Sequence, residues 1–313
     1  MAEHVSRLAP SPTGALHLGN ARTFLVNWAL ARNLGWTLLM RIEDLDGPRV
    51  KTGAAEQTLD VLAWLGIDFD GEPVHQSRDL EPYRQAMRTL AGRGRAYVCE
   101  LSRRQIEAAS SAPHDGGHEL RYPAKLRPPG AGTGGFERED VNYRLIVGDE
   151  RIVVNDEVAG PAAHCPGEEV GDFVIWTKRG VPAYQLAVVV DDVRHGVTDV
   201  VRGDDLLASA ARQILLYREL GRQPPRWWHV PLVRGPDGRR LAKRHGDTRL
   251  ATYRRAGARP ERIVGLLAEW CGVVERRAPM TACEFREGFC LPRLPAHPIT
   301  FTETDHAWLL GDC

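Results

Sequence analysis

Two stretches of this chain carry residue types suited to phosphate chemistry. The first, Pro10-Ser-Pro-Thr-Gly-Ala-Leu-His17-Leu-Gly19-Asn20, is a turn rich in glycine and proline that runs into a helix-like segment. Backbone amides in such a turn can approach a phosphate, a helix start adds partial positive charge, and the His17 imidazole can donate to a phosphoryl oxygen. The same residues also describe an ordinary capped turn. The second stretch, GPDGRRLAKRHGD from Gly235 to Asp247, places four cations within six residues, Arg239 to Arg244. A mobile basic loop can close over a polyphosphate and neutralise charge on a leaving pyrophosphate. In isolation it reads rather as a solvated hairpin turn.

Elements able to position these residues follow from the apolar pattern. SRLAP reads as a strand, residues 18–33 as a helix and WTLLMRIED as a second strand. Helices over 54–65 and 80–93 and the apolar piece AYVCEL continue the alternation that a parallel sheet requires. Between 102 and 171 the character changes. LRPPGAGTGG separates a helical stretch from two short strand candidates, VNYRLIV and RIVVN, as an inserted subdomain would. Strand signals return in DFVIWTK and YQLAVVVDDV, followed by a helix over 206–220 and the strand WHVPLV, which complete the sheet. From 246 onward the chain reads as helical and then irregular, with prolines at 279, 292, 295 and 298. The expected class is α/β, a Rossmann-like parallel sheet with an inserted α/β subdomain and a short helical C-terminal region.

Composition narrows the possibilities. With 313 residues, 43% of them hydrophobic, the chain can bury an ordinary core, and 41 Lys plus Arg against 41 Asp plus Glu excludes global basicity as a route to nucleic acid. Any RNA contact must use a local basic face. MAEHVSRLAPSPTG lacks an apolar signal core and no run of eighteen apolar residues occurs, so the cytoplasm is the expected compartment. Six cysteines without a Cys-x-x-Cys pair read as free thiols.

Four blocks together resemble the glutamyl-tRNA synthetase family of class I aminoacyl-tRNA synthetases. RLAPSPTGALHLGNARTFLVNWALA is similar to its signature region, with HLGN in place of the His-x-Gly-His-type ATP motif. RIEDLD resembles the next block, PAYQLAVVVDDVRHGVTDVVRGDDL the amino-acid-binding region, and RRLAKRHGDTRL the mobile Lys-Met-Ser-Lys-Ser-type loop. By this resemblance Arg7, Ala9 and Ser11 hold the substrate glutamate, Glu43 receives its ammonium group, and Tyr184 and Arg202 complete the pocket. His17, Gly19, Asn20 and Lys243 would bind ATP, with His17 and Lys243 catalytic. A substrate with two carboxylates does need arginine, since an unpaired buried carboxylate costs several kcal/mol. Apart from the resemblance, Arg7 and Arg202 read as surface ion-pair residues and Glu43, Asp44 and Asp46 as a solvated loop.

The chain departs from the family at four places. The second His of the ATP motif is Asn20, and Ala242 replaces a serine while Lys243 is retained. Residues 246–313 are too few for a helical anticodon-binding region, so the pattern resembles a shortened branch. At the family's zinc positions stand Cys99, Leu101, Tyr122 and Leu126, so no zinc is expected and an apolar contact should replace it. Rescue by His114, His118, His164 or Cys165 is the other reading. The shortened branch implies tRNA-independent activation of L-glutamate with ATP and Mg²⁺, then transfer to queuosine in the anticodon loop of tRNA(Asp), by a monomer. The alternatives are a glutamyl ligase with another acceptor, such as tRNA(Glu), or an inactive RNA- or nucleotide-binding relative. The implied divisions are 1–101 and 172–235 for two halves of the nucleotide-binding domain, 102–171 for an acceptor-contacting insertion, and 236–313 for the ATP loop and helical end.

Overall fold

The structure, a computed structural model, describes residues 3–109, 121–239, 241 and 248–311. Apolar residues Val5–Leu8 form β1, and a loop leads from it into helix α1, Leu18–Leu34. Gly35 stops α1 at φ 67°, a left-handed conformation suited to glycine. The sharp stop returns the chain as β2, Thr37–Ile42, parallel to β1 with Arg7 opposite Leu39. Helix α2, Ala54–Trp64, then leads to β3, Val74–His75, which lies parallel to β2. Helix α3, Glu81–Gly92, is amphipathic and buries Tyr83, Met87 and Leu90.

Beyond it come β4 (Ala96–Cys99), α4 (Arg103–Ala109), β5 (Asn142–Leu145), the hairpin of β6 (Ile152–Val154) and β7 (Ala162–His164), the single turn α5 (Pro166–Glu169), β8 (Val174–Thr177) and β9 (Val181–Pro182). AYVCEL and DFVIWTK are strands as expected, but they do not extend the parallel sheet. As β4 and β8 they flank β5 in an antiparallel sheet ordered β4-β5-β8-β9. A strand's own residues specify that it pairs, not with whom, and β5 lies on the far side of the insertion.

YQLAVVVDDV is not a strand. It forms helix α6, Tyr184–Arg194, in which every residue from Gln185 to Asp192 is buried. A continuous apolar run lacks the period that separates a buried helix from a buried strand. The parallel sheet resumes instead in β10, Asp199–Gly203, a strand not among those expected, followed by α7, Leu207–Glu219, and β11, Arg226–Val230, parallel to β10. Thr198 donates its N–H to Val5 O at 2.9 Å and its hydroxyl accepts from the Val5 N–H at 2.9 Å. This seats β10 beside β1, so the strands run in space as β3-β2-β1-β10-β11, a doubly wound Rossmann-like arrangement.

The C-terminal part is more regular than its prolines suggest. After β12, Val233–Arg234, come α8 (Leu250–Arg255), α9 (Pro260–Trp270), α10 (Ala282–Gly288), β13 (Ile299–Thr300) and α11 (Glu303–Leu310), with β13 parallel to β12. Capping boxes, Thr281 with Glu284 and Thr302 with Asp305, start α10 and α11. One hydrophobic core joins α1 and the first strands to α9 and α10, and a second joins α3, α6 and α7 to the antiparallel sheet. Arg22, fully buried in α1, bonds Pro231 O at 2.5 Å and Trp270 O at 3.2 Å, tying α1 to the β11–β12 connection and the end of α9. No helix among the described residues is long and apolar enough to cross a membrane.

Candidate active site

The carboxyl ends of β1 and β10 lie side by side where the strand order reverses, the crevice in which open α/β sheets bind ligands. A cavity of about 490 Å³ opens there, within the roughly 300–1,000 Å³ of small-molecule sites. Arg7, Ala9 and Ser11 reach it from the end of β1, His17, Gly19 and Asn20 from the start of α1, Glu43 from the end of β2, Tyr184 from the start of α6 and Arg202 from β10. These are all the sequence-predicted site residues except Lys243, which lies outside the described residues. The neighbouring backbone is nevertheless placed. Leu241 donates its N–H to Val233 O at 3.2 Å, while Leu18 N–H bonds Thr248 O at 3.2 Å and Leu250 N–H bonds Leu16 O at 2.9 Å. The chain therefore enters and leaves 242–247 fastened beside the cavity.

A buried carboxylate organises the arginines beside Glu43. Asp192 Oδ1 accepts from Arg7 Nε at 3.1 Å and Arg41 Nη1 at 2.5 Å, and Arg41 Nη2 reaches Glu43 Oε1 at 3.2 Å. Burial opposes ionisation of Asp192, but Arg41 and Arg7 outweigh it and hold its pKa below the usual aspartate value. Glu43 behaves oppositely. Burial pushes its pKa above the ordinary 4.5 despite the pull of Arg41 and Arg7. It is thus a partly desolvated carboxylate suited to an incoming ammonium group. Across the cavity Arg202 is 6% exposed and Tyr184, at 42%, forms an open part of the wall.

The His17 part of the cavity depends on the first turn of α1. His17 is the N-cap, and Asn20, in the position of the usual second His, accepts the His17 N–H with its side-chain oxygen at 3.3 Å. This is half of a capping box, a structural use for the substituted residue. A Cβ on Gly19 would stand 3.2 Å from the His17 ring, so glycine there lets the imidazole lie close against the helix.

The residues at the family's zinc positions do not fit a zinc ion. Leu101 and Leu126 offer no side-chain donor and pack against a small core of Tyr97, Cys99, Ile106 and Tyr122. The Tyr122 hydroxyl donates to Leu126 O at 2.8 Å, and burial pushes its pKa up to about 12. His164 bonds Glu169 at 3.1 Å, and His114 and His118 lie outside the described residues. Among the described residues no cluster of three or more His, Cys, Asp or Glu could hold a metal.

Sequence reasoning missed Arg41, Asp192, His229 and Asp156. Arg41 and Asp192 do lie within motif blocks, but their work is to hold other side chains. Asp156 lies 73 residues from its partner His229, and no local pattern joins them.

Known proteins resemble this chain in sequence and fold. Residues 4–302 match the family described as tRNA synthetases class I (E and Q), catalytic domain. The chain is 45% identical to a Glutamyl-Q tRNA(Asp) synthetase of Symbiobacterium thermophilum over 97% of its length and 98% of that protein. It is 47% identical to one of Rhodopirellula baltica over 87% of its length and 86% of that protein. The solved glutamate-tRNA synthetase of Elizabethkingia anophelis superposes with a TM-score of 0.82 at 25% identity, over 98% of this chain and 70% of that one.

Proposed function

We propose, because this chain belongs to the class I tRNA synthetases (E and Q) and is a ligase-type enzyme, that it activates L-glutamate with ATP without tRNA and transfers the glutamyl group to queuosine in the anticodon loop of tRNA(Asp). The observation that carries this reading is one cavity holding Arg7, Glu43 and Arg202 together with the His17 turn. Two arginines and a carboxylate complement a dicarboxylic amino acid, and the helix start beside them suits a phosphate. Similarity of almost full length to proteins named for the queuosine-directed activity supports the choice of acceptor.

Glu43 receives the substrate ammonium, and Arg7 and Arg202 pair with its carboxylates, with Ala9, Ser11 and Tyr184 shaping the pocket. The α-carboxylate attacks the α-phosphate in line and pyrophosphate leaves; an RNA hydroxyl then attacks the carbonyl carbon of the mixed anhydride, the acyl–phosphate bond breaks and AMP leaves. His17 and the amides around Gly19 and Asn20 hold the phosphates, and Lys243 stabilises charge on the departing pyrophosphate. Mg²⁺ accompanies ATP, carried mainly by phosphate oxygens and water. Residues 102–171 contact the acceptor between the halves 1–101 and 172–235, residues 236–313 complete the ATP side, and the protein works as a zinc-free monomer in the cytoplasm.

Two assays on one preparation test this. Glutamate-dependent exchange between pyrophosphate and ATP should proceed without tRNA, and labelled glutamate should pass to queuosine-containing tRNA(Asp) but not to the queuosine-free form. Charging of tRNA(Glu), or no exchange by folded protein with Mg²⁺, would overturn the proposal.

A further inference from the structure

Arg202 is held from three directions. Its Nε–H donates to His229 Nε2 at 3.0 Å, Nη1 to Gln213 Oε1 at 2.9 Å and Nη2 to Leu206 O at 3.2 Å. A guanidinium can only donate. His229 Nε2 must therefore present its lone pair, and the ring proton sits on Nδ1, where Asp156 Oδ2 accepts it at 2.5 Å. Asp156 is itself fixed. Its Oδ1 accepts the N–H groups of Val158 at 2.9 Å and Ala159 at 2.7 Å, and both oxygens face the His229 N–H at 3.1 Å. The Trp227 ring completes the enclosure, 4.8 Å from the Arg202 guanidinium and 6.1 Å from the His229 ring. His229 is wholly buried and Asp156 nearly so, and neither lines the cavity.

We propose that Asp156 and His229 are positioning residues for the amino-acid pocket: Asp156 selects the His229 tautomer that accepts from Arg202, and so aims the guanidinium at a substrate carboxylate. Three of the guanidinium's five N–H bonds are committed to this frame, and two remain for substrate. Asp156 follows β6 in the insertion, and bridges to Trp227 of β11, so the inserted segment supports the pocket. The inference rests on the proposed glutamate-activating function.

The groups facing the His229 ring are Asp156, Arg202 and the Leu206 carbonyl. Burial holds its pKa below the ordinary 6.5 although Asp156 pulls the other way, which keeps the ring neutral and able to accept.

Exchange kinetics and nitrogen NMR test the proposal together. His229→Leu removes the acceptor and should raise KM for glutamate about tenfold, the scale of one hydrogen bond to a charged group, leaving KM for ATP within about twofold. His229→Gln restores an oxygen acceptor and should recover most of the loss. In ¹⁵N-histidine-labelled wild-type protein, His229 should appear as the Nδ1-protonated tautomer, and Asp156→Asn should mix the tautomers. An unaltered KM for glutamate in His229→Leu, an equal rise for both substrates, or a wild-type ring protonated on Nε2 would each overturn the inference. The NMR reading decides it even if a variant fails to fold. Wild-type protein without glutamate-dependent exchange would remove the proposed function, and this inference with it; active wild type with unchanged His229→Leu kinetics removes this inference alone.

Discussion

Glu43 and Asp192 are carboxylates near the same two arginines, yet their environments drive them apart. Burial pushes the Glu43 pKa above 4.5 against the pull of Arg41 and Arg7. A carboxyl that is harder to ionise in the folded than in the unfolded chain lowers stability above its pKa, and that penalty disappears as pH falls. Glu43→Gln should therefore raise the thermal midpoint of the ligand-free protein at pH 7 while raising KM for glutamate about tenfold or more, a trade of stability against function. A less stable variant, or one with wild-type KM, would contradict this. Asp192 is the reverse case, with burial outweighed by Arg41 and Arg7 and its pKa held below 3.8. Its contribution is full above the unfolded aspartate value and is lost as pH falls through the folded one. Asp192→Asn should cost about 3 kcal/mol at neutral pH, as expected for breaking a buried pair, and the gap to wild type in denaturant titrations should narrow only below 3.8.

Elements differed in how openly the sequence announced them. The first strand, α1 and β2 were legible because two short apolar runs flank one long helix-like segment within forty-two residues. The segment now seen as α6 was not, since unbroken burial erases the period, and β10 was hidden inside a motif valued for its arginine. The cavity-lining residues were readable through their motif blocks, whereas Asp156 and His229 act through hydrogen bonds to other side chains and leave no local signature. Packing under the insertion could be read from substitution alone, because leucine at two ligand positions admits only apolar contact. If Leu101 and Leu126 close that small core, a zinc chelator should leave the unfolding midpoint unchanged, while Leu126→Ala, at a partly buried site, should cost about 1–2 kcal/mol. A chelator-induced drop in midpoint would show that a metal contributes after all.

At the scale of the whole molecule the cavity is a seam. Arg7 and Glu43 belong to the first half of the parallel sheet and Arg202 to the second, and the halves meet through the paired bonds between Val5 and Thr198. A ligand that engages all three side chains spans the seam and binds only the folded arrangement. L-Glutamate at a hundredfold above its Kd should then stabilise the protein by about 2.7 kcal/mol. Hydrogen exchange should slow in both β1 and β10, not in one alone. Arg202→Leu should abolish the glutamate-dependent part of this protection while leaving protection by ATP at the His17 turn, because in the proposed function glutamate engages Arg202 and ATP the His17 turn, both of which line the cavity. Protection confined to β1, or retained in full by Arg202→Leu, would mean that glutamate sits on one half of the sheet and that the pairing of the two arginines across the seam is not what selects it.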